Sequence, residues 1–493
     1  MAAGKGTRLY PYSKKTPKVL VKIGSKTLLE RNLEIVKTKL KKNEVHIVLS
    51  ENSKEIIKYL EDRNNLDIQI NYHHISKENI DKGMLYALRK LRPIITSHFM
   101  ILLGDEVYFS SDHEKMLDEM RVNDDFDIYC MIKNANSPVE ILKNYSVGVN
   151  NGKIIAIKEK PTKLINSYAG LGTIACSENI FDLMEKEYNK PNPCHFIDIL
   201  DCGIKQDLRA YYYVTQCEYY NINTKEDLFQ SRYYHRSKNI DCYKKSLIIP
   251  AFNEAGTIGY VVKDFKRYVD DIIVMENMST DGTAEIARKA GARVFSRKLK
   301  GYGDAIRQGL EEAKGDILII TEADLTFRAD DLPKIIEYLK DADAVIGTRT
   351  SRNFIHNDAN MGFLLRIGNV LFGKLISILW WNRRCRLSDV GCTYRALWKE
   401  SYEGIKSSLS SNGPEFSPEM MVEILNSFLR MVEIPVSYQN RVVGESKISI
   451  SSWHSVIVAS RMLYWIIYKR TQGWLNNLYS LLKNVEKSRI PYK

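Results

Sequence analysis

The chain has 493 residues, 44% of them hydrophobic and 27% charged, and carries a formal net charge of +12. These values are typical of a soluble globular protein with two or three domains, and the positive charge favours anionic partners. Because no zinc finger, RNP-type strand or basic zipper occurs, the sequence argues against nucleic acid and for phosphate-bearing small molecules and lipids.

The eight cysteines form neither a Cys-x-x-Cys pair nor a zinc-binding pattern, which predicts reduced thiols in a cytosolic protein. We find no signal peptide and no run of about 18 uncharged apolar residues, so we expect no segment to span a bilayer. The predicted location is therefore cytoplasmic.

The first predicted element is a glycine-rich loop with two cations close behind it. Its members are Ala3, Gly4, Gly6, Thr7, Arg8 and Lys18. Glycines separated by one residue let backbone N–H groups approach a ligand, and the cations add positive charge beside them. The loop therefore suits a nucleoside triphosphate, and a tight turn with solvated cations is the alternative.

After this loop, helices and strands alternate, which is typical of a parallel sheet covered by helices on both faces. The predicted helices are 25–41, 54–61 and 82–91, and the predicted strands are 45–49, 67–71 and 98–103. An Asn-Gly turn at 151–152 predicts a hairpin of strands 146–149 and 153–157.

The apolar strand at 98–103 ends in Gly104-Asp105. A carboxylate in this position lies at the carboxyl edge of the sheet, where open α/β folds bind ligands. Capping of the following segment is the alternative role for Asp105. Further along come the tripeptide Glu159-Lys160-Pro161, an Ala-Gly-Leu-Gly segment around Gly170, and the segment Asn221–Leu228.

These motifs together resemble the nucleoside-diphosphate-sugar pyrophosphorylases, a family of nucleotidyltransferases, over residues 1–230. The resemblance implies a Mg²⁺-dependent reaction of an NTP with a sugar-1-phosphate, which gives an NDP-sugar and pyrophosphate. It also implies an apolar strand before the first loop, which we expect upstream of Met1. Nothing in the sequence distinguishes CTP from UTP or dTTP.

The same resemblance implies the roles of the first site's residues. The loop residues bind the nucleotide, Asp105 holds the metal, and either Asn221 or Asn223 is the second metal ligand. Lys160 contacts the sugar phosphate, and Gly170 lies beside the sugar. The implied catalytic residues are Arg8, Lys18, Asp105 and Lys160.

Residues 231–245 are polar, tyrosine-rich and without a clear period, which predicts a linker. A second α/β pattern follows, with predicted strands 246–250, 271–275, 292–295, 316–320 and 343–347. The predicted helices are 257–268, 283–290, 303–313 and 329–339, and Ser279 and Thr280 are the expected caps of the second of these.

The segments Ile249–Glu254, Glu276–Thr283, Gly301–Ala305 and Gly347–Arg349 resemble the inverting family 2 glycosyltransferases. Within that family they are most similar to the dolichyl- and polyprenyl-phosphate sugar synthases. The two resemblances together imply two Rossmann-like α/β domains in tandem, a nucleotidyltransferase domain at 1–230 and a GT-A domain at 246–452. The residues at 453–493 predict an amphipathic helical segment. The implied nucleotide-binding residues are Pro250, Ala251, Asn253, Glu254, Glu276 and Glu322.

The family's Asp-x-Asp motif stands here as Glu322-Ala323-Asp324. If the backbone is extended, residues two apart point the same way, so both carboxylates can share one Mg²⁺, with Mn²⁺ as an alternative. Asp324 is also a predicted catalytic residue. A solvated acidic strand end and an inactive, pseudoenzyme-like site are the two other readings.

The segment Ser388–Arg395 and a closing motif that holds Arg441 and Lys447 resemble the family's acceptor side. A polyprenyl phosphate acceptor is largely ionised near pH 7, because its second pKa is about 6, so it needs cations and no general base. The candidates are Arg349, Arg395, Arg441 and Lys447. A hydroxyl acceptor would need a base instead, and Asp389 is the candidate.

Two stretches, 363–381 and 456–468, are apolar but broken by charges, with tryptophans near their ends. Such helices lie in a membrane interface rather than cross it, and core or dimer packing is the alternative. We therefore expect peripheral contact with the inner face of the membrane and leave homo-oligomerisation open.

The whole sequence predicts a bifunctional enzyme that makes an NDP-sugar in one half and transfers the sugar in the other. Fusion would raise the effective concentration of the intermediate near the second site. Two alternatives remain: the first half activates a non-sugar phosphate such as a polyol phosphate or phosphocholine, or one half is a non-catalytic binding module.

Overall fold

The computed structural model describes residues 7–10, 16–50, 53–62, 67–76, 79, 83–159, 161, 167–188, 195–355, 363–383, 385–442 and 456–472. The chain divides into two units, Met1–His235 and Arg236–Lys493. Ala3, Gly4, Gly6, Lys160 and Lys447 lie outside the described residues.

Short strands and helices alternate through the first unit. Its strands are β1 (Lys22–Ile23), β2 (Lys26–Thr27), β3 (Glu44–Ser50), β4 (Gln69–Ile75), β5 (Phe99–Ile101), β6 (Glu106–Phe109), β7 (Ile128–Asn134), β8 (Tyr145–Asn150), β9 (Lys153–Glu159), β10 (Tyr168–Cys176), β11 (Ala210–Val214) and β12 (Glu218–Asn221). Its helices are α1 (Leu28–Glu34), α2 (Lys54–Glu61), α3 (Gly83–Arg89), α4 (His113–Val122), α5 (Pro138–Lys143), α6 (Ile180–Tyr188) and α7 (Phe196–Ile204). Helix α8 (Lys225–Asn239) contains the boundary between the units.

The prediction of a parallel sheet in this unit is wrong. In the described residues, six strands form a mixed sheet in the order β5–β10–β7–β11–β9–β8, and its β7–β11 pair is parallel while its other pairs are antiparallel. Strands β3 and β4 form a separate parallel pair. Apolar periodicity identifies strands but does not specify their direction, which depends on partners distant in sequence.

The antiparallel pair β6–β12 positions the first candidate site. In its register, Asn221 lies opposite Glu106, and the Ile222 N–H donates to the Asp105 carbonyl at 2.9 Å. Two segments that are far apart in sequence therefore meet at residue 105 and residues 221–223.

The second unit is a three-layer α/β structure. Its strands are β13 (Lys245–Ala251), β14 (Asp271–Glu276), β15 (Arg293–Ser296), β16 (Ile317–Ile320), β17 (Ala344–Thr348), β18 (Arg395–Trp398) and β19 (Met431–Pro435). Its helices are α9 (Ile258–Phe265), α10 (Thr283–Ala290), α11 (Tyr302–Glu312), α12 (Leu332–Leu339), α13 (Phe363–Leu379), α14 (Lys399–Ile405), α15 (Phe416–Asn426) and α16 (456–472).

The seven strands follow the order β15–β14–β13–β16–β18–β17–β19, and β18 runs antiparallel to both of its neighbours. Alternate residues of β13 enter opposite cores: Leu247 and Ile249 belong to one apolar cluster and Ile248 to the other. Both faces of this sheet are therefore covered, which explains why its strands read as continuous apolar runs.

Local predictions are largely confirmed. Helices 54–61 and 283–290 have the expected bounds, and the 151–152 turn joins β8 to β9 with both turn residues at positive φ, as an Asn-Gly hairpin requires. Among the described residues, no disulfide joins the seven cysteines to one another.

The segment 231–245, predicted to be a linker, is mostly structured. Helix α8 extends to Asn239, and β13 begins at Lys245. Buried Arg236 holds this part of the helix in place, since it donates to the Ala342 carbonyl at 3.0 Å and to Asp343 at 3.0 Å. Tertiary contacts of this kind stabilise a helix whose sequence shows no amphipathic period.

The prediction that Ser279 and Thr280 cap α10 is also wrong. Gly282 precedes the helix in a left-handed conformation, and Asp281 accepts hydrogen bonds from the Thr283 backbone and hydroxyl. The Ser279 hydroxyl accepts from the Asn253 N–H instead, because the two loops lie side by side.

None of the described helices has the length and apolar character needed to span a bilayer.

Candidate active sites

The first unit brings predicted site residues from separate parts of the chain to one place. The Lys18 ammonium lies 2.5 Å from Asp105 Oδ2 and donates to Asn223 Oδ1 at 3.0 Å. The Arg8 guanidinium donates to the same Asn223 oxygen at 3.2 Å. Lys18 is mostly buried, whereas the Asp105 side chain is 30% exposed, so its carboxylate is open to a ligand.

The two asparagines of this cluster hold different positions. Asn223 Nδ2 donates to Asn221 Oδ1 at 2.7 Å, so the Asn221 oxygen is engaged by its neighbour. The Asn223 oxygen shares Lys18 with Asp105. Of the two amide oxygens, that of Asn223 is therefore the one placed beside the carboxylate.

The second unit gathers an acidic cluster beyond the end of β16. Arg441 donates to Asp324 Oδ2 from Nε at 3.0 Å and from Nη2 at 2.7 Å, and Nη2 lies 3.9 Å from Glu254 Oε1. Asp324 is buried, and its other oxygen accepts from the backbone and hydroxyl of Thr326. Three predicted residues from distant segments thus converge here.

Glu322 lies in the same cluster and accepts a hydrogen bond from the Thr393 hydroxyl at 2.8 Å. Burial, followed by the nearby Asp324 carboxylate, raises the pKa of Glu322 well above its ordinary value. The two carboxylates are therefore close enough to repel each other. A cation bound between them would relieve this repulsion.

Two loops beside this cluster are joined by side-chain contacts. Asn253, at a φ of 53°, accepts from the Thr280 N–H at 3.1 Å, and the Glu254 N–H donates to the Thr283 hydroxyl at 2.9 Å. Glu276 is buried and accepts from the Ser279 N–H. Pro250 and Ala251 end β13 directly before these loops.

Two protein families match this chain. Residues 1–235 match the family described as Nucleotidyl transferase, and residues 246–377 match Glycosyl transferase family 2. The first half of the chain therefore contains a nucleotidyl transferase domain, and the second half contains a domain of glycosyl transferase family 2. Both resemblances found in the sequence are confirmed, and both matched families are families of enzymes.

Several characterised proteins are similar to parts of the chain. The low-salt glycan biosynthesis hexosyltransferase Agl6 of Haloferax volcanii is 30% identical over 204 residues, which cover 40% of this chain and 48% of Agl6. The dolichyl-phosphate hexose transferase of the same organism is 29% identical over 206 residues, which cover 41% of this chain and 86% of that protein. Protein RfbJ of Shigella flexneri is 38% identical over 108 residues, which cover 21% of this chain and 84% of RfbJ. The chain thus spans about half the length of Agl6.

Two solved structures represent the similar folds. A UDP-glucose pyrophosphorylase complexed with UDP-glucose is 20% identical, with a TM-score of 0.42 over 48% of this chain and 97% of that chain. A glucosyl-3-phosphoglycerate synthase from Mycobacterium tuberculosis, in complex with Mn²⁺, UDP and phosphoglyceric acid, is 17% identical. Its TM-score is 0.39, over 48% of this chain and 82% of that chain.

The donor atoms of both transferase sites fit a hard divalent cation. Asp105 with the Asn223 amide in one unit, and Glu322 with Asp324 in the other, offer the oxygen ligands that Mg²⁺ and Mn²⁺ accept. In each unit a positively charged side chain, Lys18 or Arg441, contacts the carboxylate where a metal cation would bind. Among the described residues, no group of three His, Cys, Asp or Glu side chains is arranged to hold a metal ion by itself, and waters and phosphate oxygens would complete the coordination.

The structure adds one residue that the sequence analysis missed. Glu106 follows Asp105 directly, is buried, and accepts hydrogen bonds from the Tyr108 and Tyr219 hydroxyls at 2.5 Å and from the Gly172 N–H at 3.1 Å. Burial raises the pKa of Glu106 to about 7, against these hydrogen bonds. The sequence signal was a glutamate at the start of an otherwise apolar strand.

Gly170 has a packing reason to be glycine. A Cβ at this position would lie 1.9 Å from a ring carbon of Tyr145. Its contact with a sugar stays a prediction. Thr7 begins a short 3-10 turn.

Asp389 does not fit the role of general base. It is buried in a bidentate ion pair with Arg349, whose Nε donates to Oδ2 at 2.8 Å and Nη2 to Oδ1 at 3.0 Å. Burial alone would raise the pKa of Asp389, but the Arg349 charge and hydrogen bonds lower it below its ordinary value. A carboxylate held in this way is a weak base, and it neutralises much of the Arg349 charge.

Arg395 does not face an acceptor phosphate. It is buried, and its guanidinium donates to three backbone carbonyls, those of Cys392 at 2.7 Å, Ser417 at 2.7 Å and Val390 at 3.0 Å. Burial lowers the pKa of Arg395. The arginine therefore fixes the loop that carries Asp389. The Arg441 side chain is 23% exposed beside the acidic cluster, whereas the Arg349 side chain is 11% exposed and is paired with Asp389.

Proposed function

We propose that the first half joins an NTP to a sugar-1-phosphate and that the second half transfers the sugar of the resulting NDP-sugar to a polyprenyl phosphate. The observation that carries this proposal is the convergence of Arg8, Lys18, Asp105 and Asn223, which come from segments far apart in sequence. Two cations and a carboxylate at one point are what a reaction between two phosphates needs.

In the first step, a phosphate oxygen of the sugar-1-phosphate attacks the α-phosphorus of the NTP. The bond from this phosphorus to the bridging oxygen of the β-phosphate breaks, and pyrophosphate leaves with that oxygen. Lys18 and Arg8 offset the repulsion between the two anions and orient them in line. A divalent cation held by Asp105 and Asn223 would neutralise further phosphate charge.

In the second step, an oxygen of the acceptor phosphate attacks the anomeric carbon of the NDP-sugar. The bond from this carbon to the NDP oxygen breaks, NDP leaves, and the configuration at the carbon is inverted. A phosphate acceptor is favoured because Asp389, the candidate base, is locked to Arg349. An ionised phosphate needs no base, and partly exposed Arg441 supplies positive charge. The similarity to a dolichyl-phosphate hexose transferase supports the same choice.

A lipid acceptor requires the protein to reach a membrane, and helices α13 and α16 offer a surface for it. On α13, Ile376 is buried, while Leu371 and Ile378 are 63% and 71% exposed, and Trp381 directly beyond the helix is 81% exposed. On α16, Met462 and Ile466 are buried, while Tyr464 and Ile467 are exposed.

Lys374 and Arg461 are also exposed on these helices. Apolar and basic groups on one helical surface are typical of segments that lie in an anionic lipid interface. Since NTPs are supplied by the cytoplasm, we place the protein at the cytoplasmic face.

The deciding experiment incubates the purified chain with each NTP, Mg²⁺ and a panel of sugar-1-phosphates, polyol phosphates and phosphocholine, and measures pyrophosphate. We expect release with a sugar-1-phosphate. Release only with a non-sugar phosphate, or with none, would contradict the proposal for the first half.

Two variants serve as controls for each other. Asp105→Asn should abolish pyrophosphate release but leave transfer from added NDP-sugar to a polyprenyl phosphate. Asp324→Asn should do the reverse. If neither variant separates the two activities, the assignment of one reaction to each half fails.

A further inference from the structure

Three asparagine side chains form a head-to-tail chain that ends at the first site. Asn144, at the end of α5, donates from Nδ2 to the Glu140 carbonyl at 3.1 Å. Its Oδ1 accepts from Asn221 Nδ2 at 3.2 Å, and Asn221 Oδ1 accepts from Asn223 Nδ2 at 2.7 Å. Asn223 Oδ1 then faces Lys18 and Arg8. We call these three residues the amide relay.

Both ends of the amide relay determine which way each amide points. A backbone carbonyl only accepts hydrogen bonds, so Asn144 must present its NH₂ group to Glu140 and its oxygen to Asn221. Lys18 and Arg8 only donate, so Asn223 must present its oxygen to them. Turning any one amide over would set two donors or two acceptors against each other, so a single arrangement satisfies all of them.

This orientation has an electrostatic consequence. Each amide is a dipole whose negative end is its oxygen, and all three point toward Asp105 and Lys18. Hydrogen bonds in such a chain polarise one another. A carboxylate presents an acceptor in either orientation, whereas an amide presents its oxygen only if something holds it.

We infer that Asn144 is a positioning residue, which orients Asn221 and Asn223 so that the relay presents an amide oxygen to the divalent cation of the nucleotidyltransferase site. This inference rests on the proposed function of that site. The Tyr219 hydroxyl lies 2.5 Å from buried Glu106 and 3.2 Å from Asn144 Oδ1, and it can donate its single proton to only one of these two acceptors at a time.

The test compares Asn144→Leu in two backgrounds, the natural chain and Asn221→Asp. In the natural chain, Asn144→Leu should weaken the binding of Mn²⁺ alone, followed by electron paramagnetic resonance, and lower kcat/KM for pyrophosphate release. Loss of a group that orients a metal ligand lowers both by roughly 10- to 100-fold. In the Asn221→Asp background the same change should cost less than about twofold, because a carboxylate needs no orientation.

The matched control is Asn71→Leu, which removes an amide that donates to Glu44 at the surface and should leave both measurements unchanged. If Asn144→Leu costs the same in both backgrounds, or nothing in either, the inference is overturned. If the natural chain releases no pyrophosphate, the proposed function fails, and the Mn²⁺ measurements still decide whether the relay orients a cation ligand.

Discussion

Arg441 donates two hydrogen bonds to a single oxygen of Asp324, the carboxylate that the glycosyl transferase site would use to hold a cation. In the other half, Lys18 stands in the same relation to Asp105. Each acidic position thus has an internal cation against it. Any divalent cation that binds must compete with this side chain, and the side chain is then released toward the phosphates.

Arg441→Gln should therefore bind Mn²⁺ more tightly while it transfers sugar more slowly. Hydrogen bonds between charged groups contribute about 1.5–3 kcal/mol, and 1.4 kcal/mol corresponds to tenfold, so we expect a rise in affinity of roughly tenfold. Electron paramagnetic resonance measures the affinity, and release of NDP measures transfer. Arg267→Gln, which removes a surface ion pair with Asp264, is the control. Weaker Mn²⁺ binding by Arg441→Gln would mean that the arginine does not compete with the cation.

Glu106 should make the natural chain lose stability as the pH rises from 4.5 to 7. Because its pKa in the folded protein is raised from 4.5 to about 7, the folded state keeps a proton that the unfolded state has lost. The loss should total about 3 kcal/mol and then level off above pH 7. Urea unfolding of Glu106→Gln across this range should show a slope reduced by this amount, because Glu322, whose pKa is also raised, still contributes, whereas the surface variant Glu55→Gln should retain the full slope. Parallel curves for Glu106→Gln and the natural chain would contradict this account.

Asp389→Asn should lower the free energy of unfolding by about 3–5 kcal/mol, because it leaves the Arg349 guanidinium buried without its charge partner. Replacing both residues, as Asp389→Asn with Arg349→Met, should recover much of that loss, since no charge remains buried. Urea unfolding at pH 7 measures both. A variant Asp389→Asn that is as stable as the natural chain but has lost transfer to a hydroxyl acceptor would instead restore Asp389 as the catalytic base.

The exposed apolar side chains of the α13 segment should control binding to lipid. The combined change of Leu371, Ile378 and Trp381 to serine should lower binding to anionic liposomes at least tenfold, because burial of each such side chain is worth about 1.5–3 kcal/mol. Co-sedimentation measures the bound fraction. Tyr260→Ser, which removes an exposed aromatic ring elsewhere in the same unit, should bind normally. Equal binding by the natural chain and both variants would show that the α13 surface does not bind lipid.

The sequence allowed prediction of those features that depend on residues close together in the chain. Helix 54–61 and the 151–152 hairpin follow from apolar spacing and from an Asn-Gly turn. The mixed direction of the first sheet could not be predicted, because the β7–β10 and β7–β11 pairings join distant segments. The prediction of a linker at residues 231–245 failed for a related reason. The helical part of this segment is stabilised by Arg236, whose partners lie far along the chain.

Motifs located the sites, but they did not distinguish side chains that face a ligand from those that hold the site together. Arg395 and Asp389 lie in an acceptor-like motif, yet both are buried and satisfied by protein partners. Conversely, Glu106 and Asn144 drew no attention because their roles depend on Tyr219 and Asn221, which become neighbours only in the folded chain.

The β6–β12 ladder also sets an order of events during synthesis. Tyr219 follows Glu106 by 113 residues, so a ribosome must complete nearly the whole first unit before β12 can pair with β6 and bring Asn221 and Asn223 to the site of Asp105. Nascent chains interrupted before β12 would lack both asparagines. Under the proposed function, such unfinished polypeptides would not consume NTP.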